Sequence, residues 1–273
     1  IQADRPGSLP KTIAGFQLVI RGRFPHTGFH EPVARPTTHL LVRTALKHRI
    51  AFITGTDTGV GKTVFACLLV RHLLRSRIRV VALKPISSGG RADAIALHLA
   101  QNETLPLDAV NPWHFCAPIS PTAAARLEKR FVTLEQVVRH VRRFSRSLPL
   151  TLIEGAGGLL SPLGRNFDSR DLIRRLRATP VVVGLNQLGV INQMRLTLEA
   201  LPPSVADRAQ VVLMSPRIPD ASTASNAQWL SRLVRRNRIH VLPRLPAALR
   251  LDPALRDLRV ARTLGAIARA LLE

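Results

Sequence analysis

Tyrosine is absent from this chain, and lysine, cysteine and methionine are rare. The two cysteines, Cys67 and Cys116, are too few for a disulfide framework. With the scattered histidines they make no zinc-ligand spacing. Cys67 falls on the apolar face of a helical pattern and reads as a buried thiol; Cys116, after Trp113-His114-Phe115, reads as structural. No apolar run is long enough to span a membrane. Acidic residues are few as well, 17 against 40 Lys and Arg, for a net charge of +23. Such a charge raises the question of nucleic acid. Aromatic residues make up only 4% of the chain, however. The arginines are spread through segments such as 71–79, 139–146 and 170–177 and are not gathered beside stacking side chains. The charge therefore reads as arginine on solvated faces, with no nucleic-acid partner expected. There are five lysines: Lys11, Lys47, Lys62, Lys84 and Lys129. Lys62 and Lys84 sit in turns after apolar runs, and a chain that prefers Arg elsewhere needs a compact ammonium there.

At 273 residues and 46% hydrophobic, the chain can form one large domain or two small ones. Residues 1–48 carry Pro6, Pro10, Pro25, Pro32 and Pro36, which break periodicity. Phe16 to Ile20 could form a short strand, with no partner pattern nearby. This segment has no secretory apolar region and is expected to be an extension, disordered or non-native. Residues 49–273 are expected to form one cytoplasmic domain. Within it, strands are expected near 50–54, 79–83, 150–153, 180–185, 210–214 and 239–242. Helices are expected up to Ser76, over 92–100, around 121–129 and 133–146, near 168–177, and over 191–201, 223–236 and 253–272, with a looser region at 102–120. Strands alternating with helices predict an α/β fold, a mostly parallel sheet covered by helices on both faces. Right-handed crossovers bring the strand C-terminal ends to one edge, where ligands bind in open α/β sheets.

The first of these ends carries Gly55-Thr56-Asp57-Thr58-Gly59-Val60-Gly61-Lys62-Thr63. A strand, a glycine-rich turn and a helix opening on Gly-Lys-Thr predict a phosphate-binding loop, and the fold as P-loop NTPase-like. Glycines let backbone N–H groups turn inward, and the helix N-terminus adds positive potential. Lys62 is expected to reach the outer phosphates of a nucleotide, and the Thr63 hydroxyl to reach Mg²⁺. The usual loop has four residues between its first Gly and Gly-Lys-Thr; here Gly55 has five before Gly61, and Thr56 holds the expected Gly position.

The other strand ends add Lys84-Pro85-Ile86-Ser87-Ser88 with Asp93 beyond, Glu154-Gly155-Ala156-Gly157-Gly158, and Asn186 to Asn192, which opens a helix suited to an anion. Asp93 and Glu154 are acids in a basic chain. With Thr63 they are the hard oxygen donors that Mg²⁺ prefers. Asp93 also suits a helix N-terminus, and Asn192 a helix cap.

Segments 55–63, 84–89 (Lys-Pro-Ile-Ser-Ser-Gly), 154–158 and 188–192 (Leu-Gly-Val-Ile-Asn) together resemble the dethiobiotin synthetase family, in its order, over roughly 50–246. The resemblance implies ring closure of 7,8-diaminononanoate with CO₂ and ATP, through a carbamate and its mixed anhydride with phosphate, in biotin biosynthesis. It implies Lys62 and Lys84 as catalytic cations and Ser88 as a carbamate contact. Gly59, Val60, Gly61, Lys62, Thr63 and Val64, with Asp93, Glu154, Gly155, Ala156 and Gly157, would bind ATP, helped by Ser215, Pro243, Arg244 and Leu245 at the base. Thr63, Asp93 and Glu154 would hold Mg²⁺. Val190, Ile191 and Asn192 would receive the substrate carboxylate from a neighbouring subunit, implying a homodimer.

Three features depart from the family pattern. The family often has an acid where Gly59 stands, and Asn where this chain has Ser215-Pro216-Arg217, which leaves nucleotide preference open. The connection from Ser88 to Asp93 is also short. Two rival readings share the loop. A partition-type ATPase would carry a lysine where Asp57 stands, and a corrinoid amidoligase would want a catalytic Cys that residues after 210 lack. A basic nucleic-acid-binding protein is the third alternative.

Overall fold

The computed structural model describes residues 48–234 and 238–273, with two short strands before them, Lys11–Ile13 and Phe16–Leu18. Six parallel strands make the central sheet, in the order Ile239–Leu242, Gln210–Met214, Thr179–Leu185, Arg49–Gly55, Leu150–Glu154, Val80–Leu83. Its strands are short apolar runs because both faces are buried. Ala51, Ile53, Val181, Val183, Val212 and Met214 point into one core, shared with helices Lys62–Arg75, Ala92–Ala100 and Leu258–Leu272. Their neighbours Phe52, Val182, Val211 and Leu213 point into the other, shared with helices Leu134–Ser145, Ser169–Leu176 and Val190–Glu199. This is the two-residue alternation of a strand. Fully burying each such side chain stabilises the fold by about 1.5–3 kcal/mol.

The register sets the functional edge. Gly55 lies opposite Val183, Ile53 opposite Glu154, Leu83 opposite Ile153, and Met214 opposite both Leu185 and Leu242. Backbone hydrogen bonds run on past these pairs, with Thr56 N donating to Val183 O (2.9 Å) and Gly155 N to Ile53 O (2.9 Å). The loops carrying chemistry therefore leave the sheet side by side.

Several expectations need revision. The C-terminal helix expected over 253–272 is two helices, Leu251–Ala254 and Leu258–Leu272. The break falls at Asp257, whose carboxylate accepts from Arg259 N and caps the second helix. The helix expected over 223–236 is shorter, Asn226–Leu233. The looser region holds a helix, Leu107–Val110, and a strand, Trp113–Phe115, that pairs in parallel with Ile86–Ser88. Phe16–Leu18 pairs with Lys11–Ile13 and with Ala248–Leu249; such distant partners cannot be read from local pattern. The rest of 1–47, on which the expectation of disorder falls, lies outside the described residues. Cys67 is a buried free thiol as expected, but Cys116 is exposed.

The edge strand Val80–Leu83 is closed by a side chain. Gln101 is fully buried; its Nε2 donates to Ala82 O (3.0 Å) and its Oε1 accepts from Ala82 N (3.1 Å). One amide thus replaces a missing strand. Gln101→Ala would leave both Ala82 groups unpaired in the core, and unfolding in urea should show a loss of about 2–4 kcal/mol.

Candidate active site

A cavity of ≈ 660 Å³ opens at the C-terminal edge of the sheet, walled on one side by Gly59, Gly61, Lys62 and Thr63 and on the other by Lys84, Ser88, Asp93, Glu154, Ala156 and Gly157. Helix Lys62–Arg75 starts at the cavity floor. Its N-cap, Gly61, has φ 96°, and no side chain caps the helix, so its first N–H groups are free for a ligand. Gly59 also has positive φ, 77°, with open space where a side chain would begin.

The centre of the cavity is a charge cluster. Lys84 Nζ lies 2.6 Å from Glu154 Oε1, 3.0 Å from Asp93 Oδ2, and donates to Gly155 O (3.0 Å). The Thr63 hydroxyl donates to the same Glu154 oxygen (2.6 Å). Lys84 is 3% exposed and Glu154 2%. Burial alone would lower the Lys84 pKa, but the carboxylates of Asp93 and Glu154 outweigh it and hold the ammonium above the usual lysine range. Lys84 in turn draws the Asp93 carboxyl below its ordinary value. Burial pushes the Glu154 carboxyl up, against the pull of Lys84. Lys62 has no carboxylate in contact; its Nζ donates to the carbonyl of Asp57 (2.7 Å). Burial, then repulsion from Lys84, lowers its pKa to about 8. An anion in the cavity would reverse that.

The Lys84 loop is held by residues that sequence reasoning did not assign to the site. Asn111 is buried; its Nδ2 donates to Lys84 O (2.6 Å) and its Oδ1 accepts from Ser87 Oγ (3.1 Å). Arg91 donates to Asn111 Oδ1 and O and to Leu107 O. The signal was there in Asn111-Pro112-Trp113 within a loose stretch, but its partner lay 27 residues away. Thr58, Ser87, Pro118, Ile119, Ser120 and Ser161 also line the cavity.

The remaining candidates do not themselves line this cavity. Val60 and Val64 are packed in the core, and Gly155 contributes its carbonyl to Lys84. Val190, buried, opens a helix one strand further along, and Ile191 and Asn192 follow it in the first turn. Ser215, Pro243, Arg244 and Leu245 follow the two outer strands, with Ser215 N donating to Leu242 O (3.1 Å).

Residues 49–254 match the AAA domain family. The ATP-dependent dethiobiotin synthetase of Anaeromyxobacter dehalogenans (strain 2CP-1 / ATCC BAA-258) is 40% identical over 228 residues, 81% of this chain and 98% of that protein. The chain belongs to the dethiobiotin synthetase family. A dethiobiotin synthetase of Methanocaldococcus jannaschii is 38% identical over 154 residues, 55% of this chain and 72% of that one. Among solved structures, the Aquifex aeolicus MinC:MinD cell division complex aligns with a TM-score of 0.52 at 16% identity, covering 82% of this chain and 96% of that one. The pNOB8 ParA structure bound to nonspecific DNA aligns at 0.51 and 12%, covering 82% and 98%. At these identities the likeness is one of fold, and it agrees with the P-loop NTPase-like α/β architecture.

In this dethiobiotin synthetase the shape of the phosphate loop depends on Gly61. A Cβ on Gly61 would meet Met214 Cε at 3.3 Å, in a backbone region that L-residues rarely adopt. Gly61→Ala is expected to strain the loop by about 1–3 kcal/mol and to weaken nucleotide binding about tenfold or more in calorimetry.

Proposed function

We propose that this chain closes the ureido ring of dethiobiotin from 7,8-diaminononanoate, CO₂ and ATP, with the charge cluster above as its working centre. Family membership makes it an ATP-dependent ligase of biotin biosynthesis. The observation that carries the residue-level reading is a second buried lysine, Lys84, in the same cavity as Lys62 of the phosphate loop. One substrate amine takes up CO₂ and loses a proton, giving a carbamate. A carbamate oxygen attacks the γ-phosphorus and ADP leaves; the second amine then attacks the carbonyl carbon and phosphate leaves. Phosphoryl transfer needs positioning and charge neutralisation more than covalent help. Lys62 faces the β- and γ-phosphates. Lys84, kept charged by its carboxylate partners, faces the carbamate and the phosphoryl group in transit, and Ser88 orients the carbamate.

The donor set fits Mg²⁺. Glu154 Oε2 is buried and makes no hydrogen bond, and the Thr63 hydroxyl and Asp93 carboxylate stand with it around Lys84. Among the described residues no group of three or more His, Cys, Asp and Glu could hold a metal alone. Two carboxylates and a hydroxyl suit an ion completed by phosphate and water. When bound, Mg²⁺ would neutralise charge shared by the β- and γ-phosphates.

We assign the substrate carboxylate to the helix start at Val190, Ile191 and Asn192 of a neighbouring subunit, in a homodimer. Support comes from Leu188, 80% exposed just before that helix, and Leu196, 60% exposed in its second half, two large apolar side chains left on the surface. The base-side residues Ser215, Pro243, Arg244 and Leu245 lie along the same edge.

Supplied with diaminononanoate, bicarbonate and MgATP, the protein should release phosphate only when the diamine is present. Hydrolysis indifferent to the diamine would instead favour a partition-type ATPase. Lys84→Ala should retain nucleotide binding within about tenfold, since Lys62 and the helix N-terminus remain, and lose ring formation. Full turnover by that variant would remove Lys84 from the mechanism.

A further inference from the structure

We infer that a second cavity, at the far end of the phosphate-loop helix, binds a phosphate group carried by inorganic phosphate or a small phosphomonoester. Arg71, Leu74, Arg75, Asn102, Asp252 and Arg256 line this space of ≈ 550 Å³. Helix Lys62–Arg75 has 14 residues, so the cavity lies about 20 Å from the nucleotide site.

Arg71 is the decisive residue. It is 7% exposed, and its Nη1 donates to Asn102 Oδ1. Its Nε is buried and makes no hydrogen bond; the nearest carboxylate oxygen, Asp252 Oδ1, stands 3.9 Å away. A buried guanidinium with an unmet N–H is costly, and its positive charge, set in the cavity wall with its one nearby carboxylate at 3.9 Å, favours an anion in that space. Two more guanidiniums share the space. Arg75 Nη1 reaches only a backbone carbonyl, that of Asp252, at 3.3 Å. The Arg256 side chain makes no hydrogen bond or ion pair among the described residues, and Asp252 is the cavity's only acid. Three full positive charges face one negative. The negative pole of the helix C-terminus, worth about half a charge, does not reverse that balance. Planar guanidiniums suit a tetrahedral anion with several oxygens, and three of them favour a doubly charged phosphate over a carboxylate. The space exceeds a bare phosphate ion and leaves room for the body of an ester.

Asp252 makes the test two-signed. In the full-length protein, with MgADP saturating and ionic strength constant, calorimetry would follow inorganic phosphate, glycerol phosphate and, as control, acetate. Saturable binding of either phosphate is expected, with acetate much weaker. Binding of the ester alone would identify esters as the source; binding of both would make the phosphate group sufficient. Arg256→Gln and Arg75→Gln should each weaken binding about tenfold, the loss of a charge-assisted contact. Asp252→Asn should tighten it about threefold by removing repulsion. These positions are at least partly exposed, so the variants should fold. Absence of saturable binding would overturn the inference. So would an affinity that Arg256→Gln leaves unchanged, since phosphate in the nucleotide cavity does not feel that residue.

Discussion

The contact between Lys84 and Glu154 is the constraint on which the rest of the site depends. It joins the ends of two adjacent parallel strands, one residue past the pairing of Leu83 with Ile153. Both side chains are almost wholly buried, and such a pair contributes little net stability because desolvation offsets attraction. Its use lies elsewhere. The same Glu154 oxygen accepts from Thr63, so the phosphate loop, the lysine loop and the glutamate loop meet at a single atom. Lys84 has three acceptors, so on the proposed function a carbamate or phosphoryl oxygen would exchange one acceptor for another and would not have to create a charged site in an apolar wall.

The two kinds of basic residue divide the molecule between them. Lys62 and Lys84 are buried at the cavity, whereas Lys129 sits exposed in a turn. The arginines mainly serve the surface and the joints. Arg175 pairs with Glu135 across two helices, and Arg91 locks Asn111 and Leu107 behind the lysine loop. A flexible stem with a small ammonium can enter a crowded cavity and change partners; a planar guanidinium is better at fixing several carbonyls at once. Arg91 shows the second use and Lys84 the first. Two hydrogen bonds link them, Arg91 to Asn111 and Asn111 to the Lys84 carbonyl, and the Lys84 N–H donates in turn to Val110 O.

The central sheet was legible in the sequence because its signals are local. Apolar runs of strand length alternate with helical periodicity, and four of the six strand ends carry glycine or lysine motifs. The catalytic candidates were legible for the same reason: Lys84 and Glu154 lie at predicted strand ends, Lys62, Thr63 and Asp93 at the starts of the helices that follow, and the cavity gathers all five. What escaped was non-local. The amide of Gln101 standing in for a strand and the latch of Asn111 on Lys84 join residues 19 and 27 positions apart. The pairing of Phe16–Leu18 with Ala248–Leu249 spans most of the chain. Neither periodicity nor turn chemistry encodes such partners; they follow only once the sheet has fixed where each loop emerges.

The phosphate loop itself shows how one fold serves different ends. Its extra residue, relative to the common spacing, has to go somewhere. Asp57 turns its side chain back onto the N–H of Thr58 (2.6 Å) and offers its carbonyl to Lys62, so the lengthened stretch is braced from within. Gly59 then takes the left-handed conformation at the point that opens into space. A bound nucleotide would draw Lys62 off that carbonyl, because a phosphate oxygen carries full charge where the carbonyl carries only a dipole. Lys84, by contrast, is held by the carboxylates of Asp93 and Glu154 and by the Gly155 carbonyl. On the function proposed above, that division gives one ammonium, held by a carbonyl, to the nucleotide and another, held by two carboxylates, to the carbamate.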